Sequence, residues 1–136
     1  MPLIRFISVA VLCHLAFVST RFSVSLYAID KGASPFTVGV ILSLFSVIPV
    51  LISVRIGKWI DHGGPLLPTT VGISLTAIGA TLPLIFSYET ADLAPLLVSA
   101  SLVGTGFTFS ILSMQHCIGE MSVPEKRTII FSWFAM

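Results

Sequence analysis

Phe36–Val54 reads FTVGVILSLFSVIPVLISV, and Arg55–Gly64, directly after it, reads RIGKWIDHGG. The first stretch holds no charged residue. The second holds Arg55, Lys58 and Asp61, with His62 beside them. A charge-free run close to the ~20 residues a helix needs to cross a bilayer, closed by a charged cluster and a glycine pair, is a membrane span meeting its aqueous edge. In lipid the backbone must satisfy its own N–H and C=O groups, which selects helix. Strands of a membrane barrel alternate in polarity over ~10 residues, whereas this run is apolar on every side.

The rest of the chain follows the same pattern. Of its 136 residues 55% are hydrophobic and 10% charged, with a mean hydropathy of +1.03. A soluble domain carries about 25% charged residues, so too few polar groups exist here to cover a water-facing surface. Further apolar runs cover Leu3–Ala28, Leu66–Tyr88 and Leu93–Ile118, and a fifth begins near Thr128 and stops with the sequence at Met136. The expected fold class is an all-α membrane protein, a polytopic bundle of transmembrane helices. Ser34-Pro35 reads as an N-cap with proline at the first helical position. Ser122-Val-Pro-Glu125 reads as a capping box opening the fifth span. Gly63-Gly64-Pro65 breaks the chain between the second and third spans. Pro49 and Pro83 fall inside spans and are expected to bend them. The first run exceeds the ~7–15 apolar residues of a signal peptide and lacks a cleavage site, so it is read as a span.

A net charge of +1 gives no basic surface for nucleic acid. Cys13 and Cys117 lie in apolar runs and read as small buried hydrophobes; with three scattered histidines they make no metal-binding spacing. No cofactor is implied. Lys and Arg distribution orients the chain. With the N-terminus cytoplasmic, Arg5, Arg55, Lys58, Lys126 and Arg127 lie inside and only Lys31 outside, while Asp30, Glu89 and Asp92 fall in outer loops. Tyr27 and Tyr88 then mark the outer interface and Trp59 the inner one. The expected location is a plasma (inner) membrane.

On this reading RIGKWIDHGG is a cytoplasmic loop. Anchoring by positive charge plus a turn explains Arg55, Lys58 and the glycine pair. Asp61, one helical turn after Gly57, suggests instead a packing gate, since glycine permits close helix approach and a carboxylate can pair with a base or a helix N-terminus. Gly57-Lys-Trp-Ile-Asp61-His62-Gly63-Gly64 resembles the signature G-x-x-x-D-[RK]-x-G-[RK]-[RK] of the major facilitator superfamily, which lies between the second and third spans of those transporters. Gly57, Asp61 and Gly64 match. His62 stands in place of Arg or Lys, and Pro65 and Leu66 replace the final basic pair. The resemblance implies that residues 1–136 are part of the N-terminal six-helix half of a twelve-span carrier, with the C-terminal half lying beyond this sequence. It implies that Gly57 admits a span of that other half and that Asp61 belongs to an ionic latch. Lys58 or Arg55 would supply the latch cation, and His62 would make it sensitive to pH, because histidine changes charge in the physiological range.

Ionisable groups inside a membrane are costly and mark function. Span one carries His14 and Arg21, seven residues apart and so on one helix face, which Ser25 extends. Span four carries Ser99, Ser101, Thr105, Thr108, Ser110, Ser113, Gln115 and His116, with Gly104 and Gly106 where a helix or ligand could approach. Gln115 and His116 are expected to reach interfacial water. In the resembled family, spans one and four line the central cavity. His14, Arg21, Ser25, Ser101 and Thr105 are therefore the candidate substrate or proton pathway. Ser101 occupies the position where the family often has a base, and the spans hold no Asp or Glu. The expected function is secondary active transport of a small molecule by alternating access, as an efflux carrier or with proton coupling. The alternative is a four- or five-span scaffold or homo-oligomeric exporter. Enzyme chemistry is not indicated: Ser8, Cys13 and His14 form no nucleophile–base pair, since adjacent positions on a helix do not face each other.

Overall fold

A computed structural model describes residues 2–86, 93–121 and 132. Four helices follow one another: α1 Pro2–Asp30, α2 Pro35–Gly63, α3 Leu66–Phe86 and α4 Ala94–Met121. Each contains a stretch long and apolar enough to cross a membrane, and among the described residues there is no strand. The chain is an all-α, multi-pass membrane helix bundle. The fifth span near Thr128, the Ser122–Glu125 capping box, Tyr88, Glu89, Asp92, Lys126 and Arg127 lie outside the described residues.

Short turns fix the up-and-down order. α1 stops at Gly32, whose φ of 78° suits glycine. The Ala33 N–H there reaches the Ala28 carbonyl at 2.9 Å and the Gly32 N–H reaches that of Ile29 at 2.9 Å, the paired bonds of a Schellman stop. Ser34 then caps α2 as the sequence requires: its Oγ accepts from the Thr37 N–H at 3.2 Å, with Pro35 in the first turn.

One expectation is corrected. RIGKWIDHG is not a loop but the last two and a half turns of α2, which runs unbroken to Gly63. Charge does not end a helix, and a lone Gly57 costs only ~1 kcal/mol of helix propensity. The chain turns at the first true breaker: Gly64 takes a φ of 77°, its N–H bonds the Ile60 carbonyl at 2.9 Å, and Pro65 follows. At 29 residues and ~1.5 Å per residue, α2 is roughly 44 Å long, well beyond a hydrocarbon core of ~30 Å. Its charged end therefore projects as helix.

α4 is the central helix. Half of its span is buried inside the bundle, against 11% to 17% for the others, and it packs on all three. Toward the Gly32 end it joins Leu96, Ala100 and Val103 to Val24 and Ala28 of α1 and Ile41 and Phe45 of α2. Toward the Gly64 end Phe109 packs with Ile56 and Ile60. Apolar side chains gain nothing by leaving lipid for one another, so close backbone approach supplies the attraction between spans. Glycines provide it. A methyl group on Gly72 of α3 would meet the Gly106 carbonyl oxygen at 2.7 Å, and one on Gly106 would meet that of Gly72 at 2.5 Å. The Ser99 hydroxyl donates to the Gly79 carbonyl across the same interface at 2.6 Å. Gly104 lies against the backbone of Phe45 in α2, where a methyl group would stand 2.8 Å from the Phe45 carbonyl carbon. That carbonyl belongs to the residue four before Pro49, which has no N–H to offer it. The proline frees a backbone oxygen, and the glycine of the neighbouring helix covers it. Gly104 and Gly106 thus meet helices rather than a ligand.

Candidate functional site

α2 and α4 end on the same side of the bundle, at the Gly64 turn. There the His116 ring of α4 lies between two carboxylates: Nδ1 is 3.5 Å from Asp61 Oδ1 of α2, and Nε2 is 3.5 Å from Glu120 Oε1, one turn along α4. The imidazole is three-quarters buried, its side chain 25% exposed, while both carboxylates are 68% exposed. Thr105, Phe109, Leu112 and His116 recur at i, i+4, i+7 and i+11, one stripe of α4. Phe109 in that stripe holds the two buried isoleucines of α2 and meets the Trp59 ring edge-on at 5.8 Å. Apolar packing between α2 and α4 therefore carries His116 to Asp61.

The electrostatics are asymmetric. Asp61 and Glu120 occupy the last turns of their helices, where the helix dipole is negative and disfavours a carboxylate. Neither is placed to cap a helix. The imidazole between them is the group that offsets both. His116, expected to reach interfacial water, is instead the partner of Asp61. Sequence reasoning missed this contact because its partners lie 55 residues apart. Arg55 and Lys58 are exposed and make no ion pair among the described residues. His62 turns back on its own helix, donating from Nδ1 to the Lys58 carbonyl at 2.7 Å. Gly57 faces open space: a methyl group there would meet nothing within 4 Å.

The pathway candidates do not converge. The exposed His14 ring meets Phe107 of α4 edge-on at 5.5 Å, and Phe17 stacks on Phe107 at 4.4 Å. Arg21 is exposed and has no ion-pair partner among the described residues. The Ser25 hydroxyl donates to the Arg21 carbonyl at 2.9 Å. Ser101 donates to Leu97 at 2.8 Å. Ser101 extends the Thr105 stripe by one turn, and Thr105 lies about 200° around α4 from Phe107, the residue that meets α1. The two sets therefore occupy separate faces. Concave space lies elsewhere. Two adjoining grooves of about 350 and 440 Å³ run between α1 and α3, both lined by Thr20 and Ala80. Cys13 lines one and Ser23 the other, whereas His14, Arg21 and Ser25 line neither. Cys13 and Cys117 are half-buried and unbridged. Among the described residues no three His, Cys, Asp or Glu side chains are arranged to hold a metal ion.

No protein-family model, no curated protein and no solved structure matches this chain.

Proposed function

We propose that the chain is part of a secondary transporter of small molecules, of the major facilitator type, working by alternating access with Asp61 in its latch. The observation that carries the reading is the contact between Asp61 and His116. A carboxylate set against the dipole of its own helix is poorly placed for stability alone, and it is held by a base on a different span. That is the construction of a contact meant to be made and broken. Two further features support the reading. Gly57 lies one turn before Asp61, and nothing within these four helices requires a glycine there. The spacing of Gly57, Asp61 and Gly64 is that of the transporter signature. The latch cation in this reading is His116 rather than Lys58, Arg55 or His62. Arg55, Lys58 and the Gly64 turn then face the cytoplasm, as does the N-terminus, and Lys31 and Tyr27 face outward, the lysine ammonium 5.4 Å from the Tyr27 ring centre. The membrane is the plasma (inner) membrane. Arg21, exposed within a span, is the residue proposed to couple transport to protons.

Asp61→Asn tests this. Membrane vesicles carrying the whole carrier that this reading requires, with residues 1–136 in place, are screened for movement of a panel of small organic solutes under a proton gradient. Spin labels near the ends of α2 and α4 report conformer populations. The substitution removes a half-exposed charge pair of up to ~1 kcal/mol, a shift of about fivefold in a two-state ratio, and slows transport. Unchanged rates and populations would refute the latch. If that whole protein moves no solute, the scaffold reading takes the place of the carrier.

A further inference from the structure

Each nitrogen of the His116 ring faces a carboxylate oxygen at 3.5 Å, Asp61 on one side and Glu120 on the other. At this separation the contacts are ion pairs rather than short hydrogen bonds, and only the imidazolium, with a positive charge and an N–H on each side, attracts both carboxylates. No other group shares the task among the described residues. α3, from Leu66 to Phe86, has no titratable side chain. On α2, His62 is engaged with its own helix, and Lys58 and Arg55 point to solvent. On α1, Cys13, His14, Arg21, Tyr27 and Asp30 form no ion pair with His116, and on α4 the Cys117 thiol lies within reach of the Glu120 charge; among the described residues the ion-pair partners of His116 are Asp61 and Glu120.

We propose that His116 makes the α2–α4 contact a proton-operated clamp. With the ring protonated, one cation bridges two carboxylates on two helices and holds their ends together. With the ring neutral, both ion pairs are lost and two anions remain at the negative ends of two helix dipoles, so the ends part. The sign is fixed by the charge that pairs: the clamp is closed while the ring is protonated and is lost as rising pH removes that proton. As a control on transport the clamp rests on the carrier reading above. As a contact between two helices it is measurable without transport.

Trp59 is the reporter, because it sits two residues before Asp61 and packs on Phe109 of α4. The full chain, with Trp133→Phe so that Trp59 alone emits, is placed in lipid nanodiscs and titrated from pH 5 to 8. The expected result is a single red shift of emission as pH rises. His116→Gln removes the step and holds the high-pH spectrum. His116→Arg, a fixed cation, holds the low-pH spectrum, and His62→Gln leaves the step intact. Asp61→Asn deletes the α2 end of the bridge and also abolishes the step, which covers the case of a His116 variant that does not fold. Absence of a step in the parent chain, or its survival in His116→Gln or Asp61→Asn, overturns the proposal. Solute transport by the same variants separates the two readings. A step abolished by both substitutions, where the whole carrier containing residues 1–136 moves no solute, leaves the clamp and removes the carrier. Transport with a step untouched by either removes the clamp and leaves the carrier.

Discussion

Replacing Gly104 by alanine puts a methyl group into the backbone of the helix beside it. The added carbon would stand 2.8 Å from the Phe45 carbonyl carbon and 2.9 Å from its Cα, with the Phe45 carbonyl oxygen nearer still. Ordinary contact for such atoms begins near ~3.5 Å. Phe45 is 2% exposed and the clash is with backbone, so no side chain can swing aside. α2 and α4 must separate by close to ~1 Å, which forfeits a quarter to a half of each dispersion contact along the interface. Overpacking of this kind costs ~1–3 kcal/mol. The control is Gly39→Ala in α2, where a methyl group meets nothing within 4 Å. There the lower helix entropy of glycine is relieved, a gain of ~0.5–1 kcal/mol. The two alanine variants should therefore differ by roughly 10 °C in Tm, taking ~3–5 °C per kcal/mol for a chain of this size. Thermal unfolding in mild detergent, followed by helical circular dichroism and size exclusion, measures the difference. Equal melting temperatures would refute the view that backbone contact at Gly104 holds α4 to α2.

Gly57→Ala should keep or slightly raise the melting temperature, because its methyl group enters open space, yet slow solute movement by tenfold or more; unchanged transport would remove Gly57 from the latch. Ser113 is buried and its hydroxyl has no hydrogen-bond partner among the described residues, so Ser113→Ala should leave stability unchanged or raise it by ~1 kcal/mol; a clear loss in thermal unfolding would show that the hydroxyl is engaged. Arg21→Ala should abolish proton-coupled transport while leaving the melting curve in place, since Arg21 makes no ion pair among the described residues; wild-type rates in a vesicle assay would exclude it from coupling.

The four helices were legible because length and charge alone define a membrane span. Their turns were legible from Ser34-Pro35 and Gly63-Gly64-Pro65, which act within a few residues of themselves. The end of α2 was misjudged because a charged cluster signals where lipid stops, not where hydrogen bonding stops. The pairing of helices was the least legible feature. A run that is apolar on every side has no pattern to say which face meets which neighbour. Gly104 and Gly106 could be marked as points of approach, but whether helix or ligand approached them depended on Phe45 and Gly72, on other spans. Gly72 and Gly79, seven residues apart on α3, carried a signal that periodicity could have found. Many of the hydroxyls that made spans one and four look polar are spent on their own helices, as Thr20 to Ala16, Ser25 to Arg21 and Thr108 to Gly104 show.

The contact of Gly104 with Phe45 also sets a mechanical scale. It pins α2 about a third of the way along its length, and Asp61 lies sixteen residues further on, roughly 24 Å at the helical rise. The stiff helix beyond the pin is a lever arm. A tilt of about 5° about the pin moves Asp61 by about 2 Å while Phe45 stays in register with α4. That is enough to part a pair held at 3.5 Å, provided Ile56 and Ile60 slide across Phe109. A small rotation at Phe45 would thereby be read out as a larger displacement at the Gly64 end of the bundle.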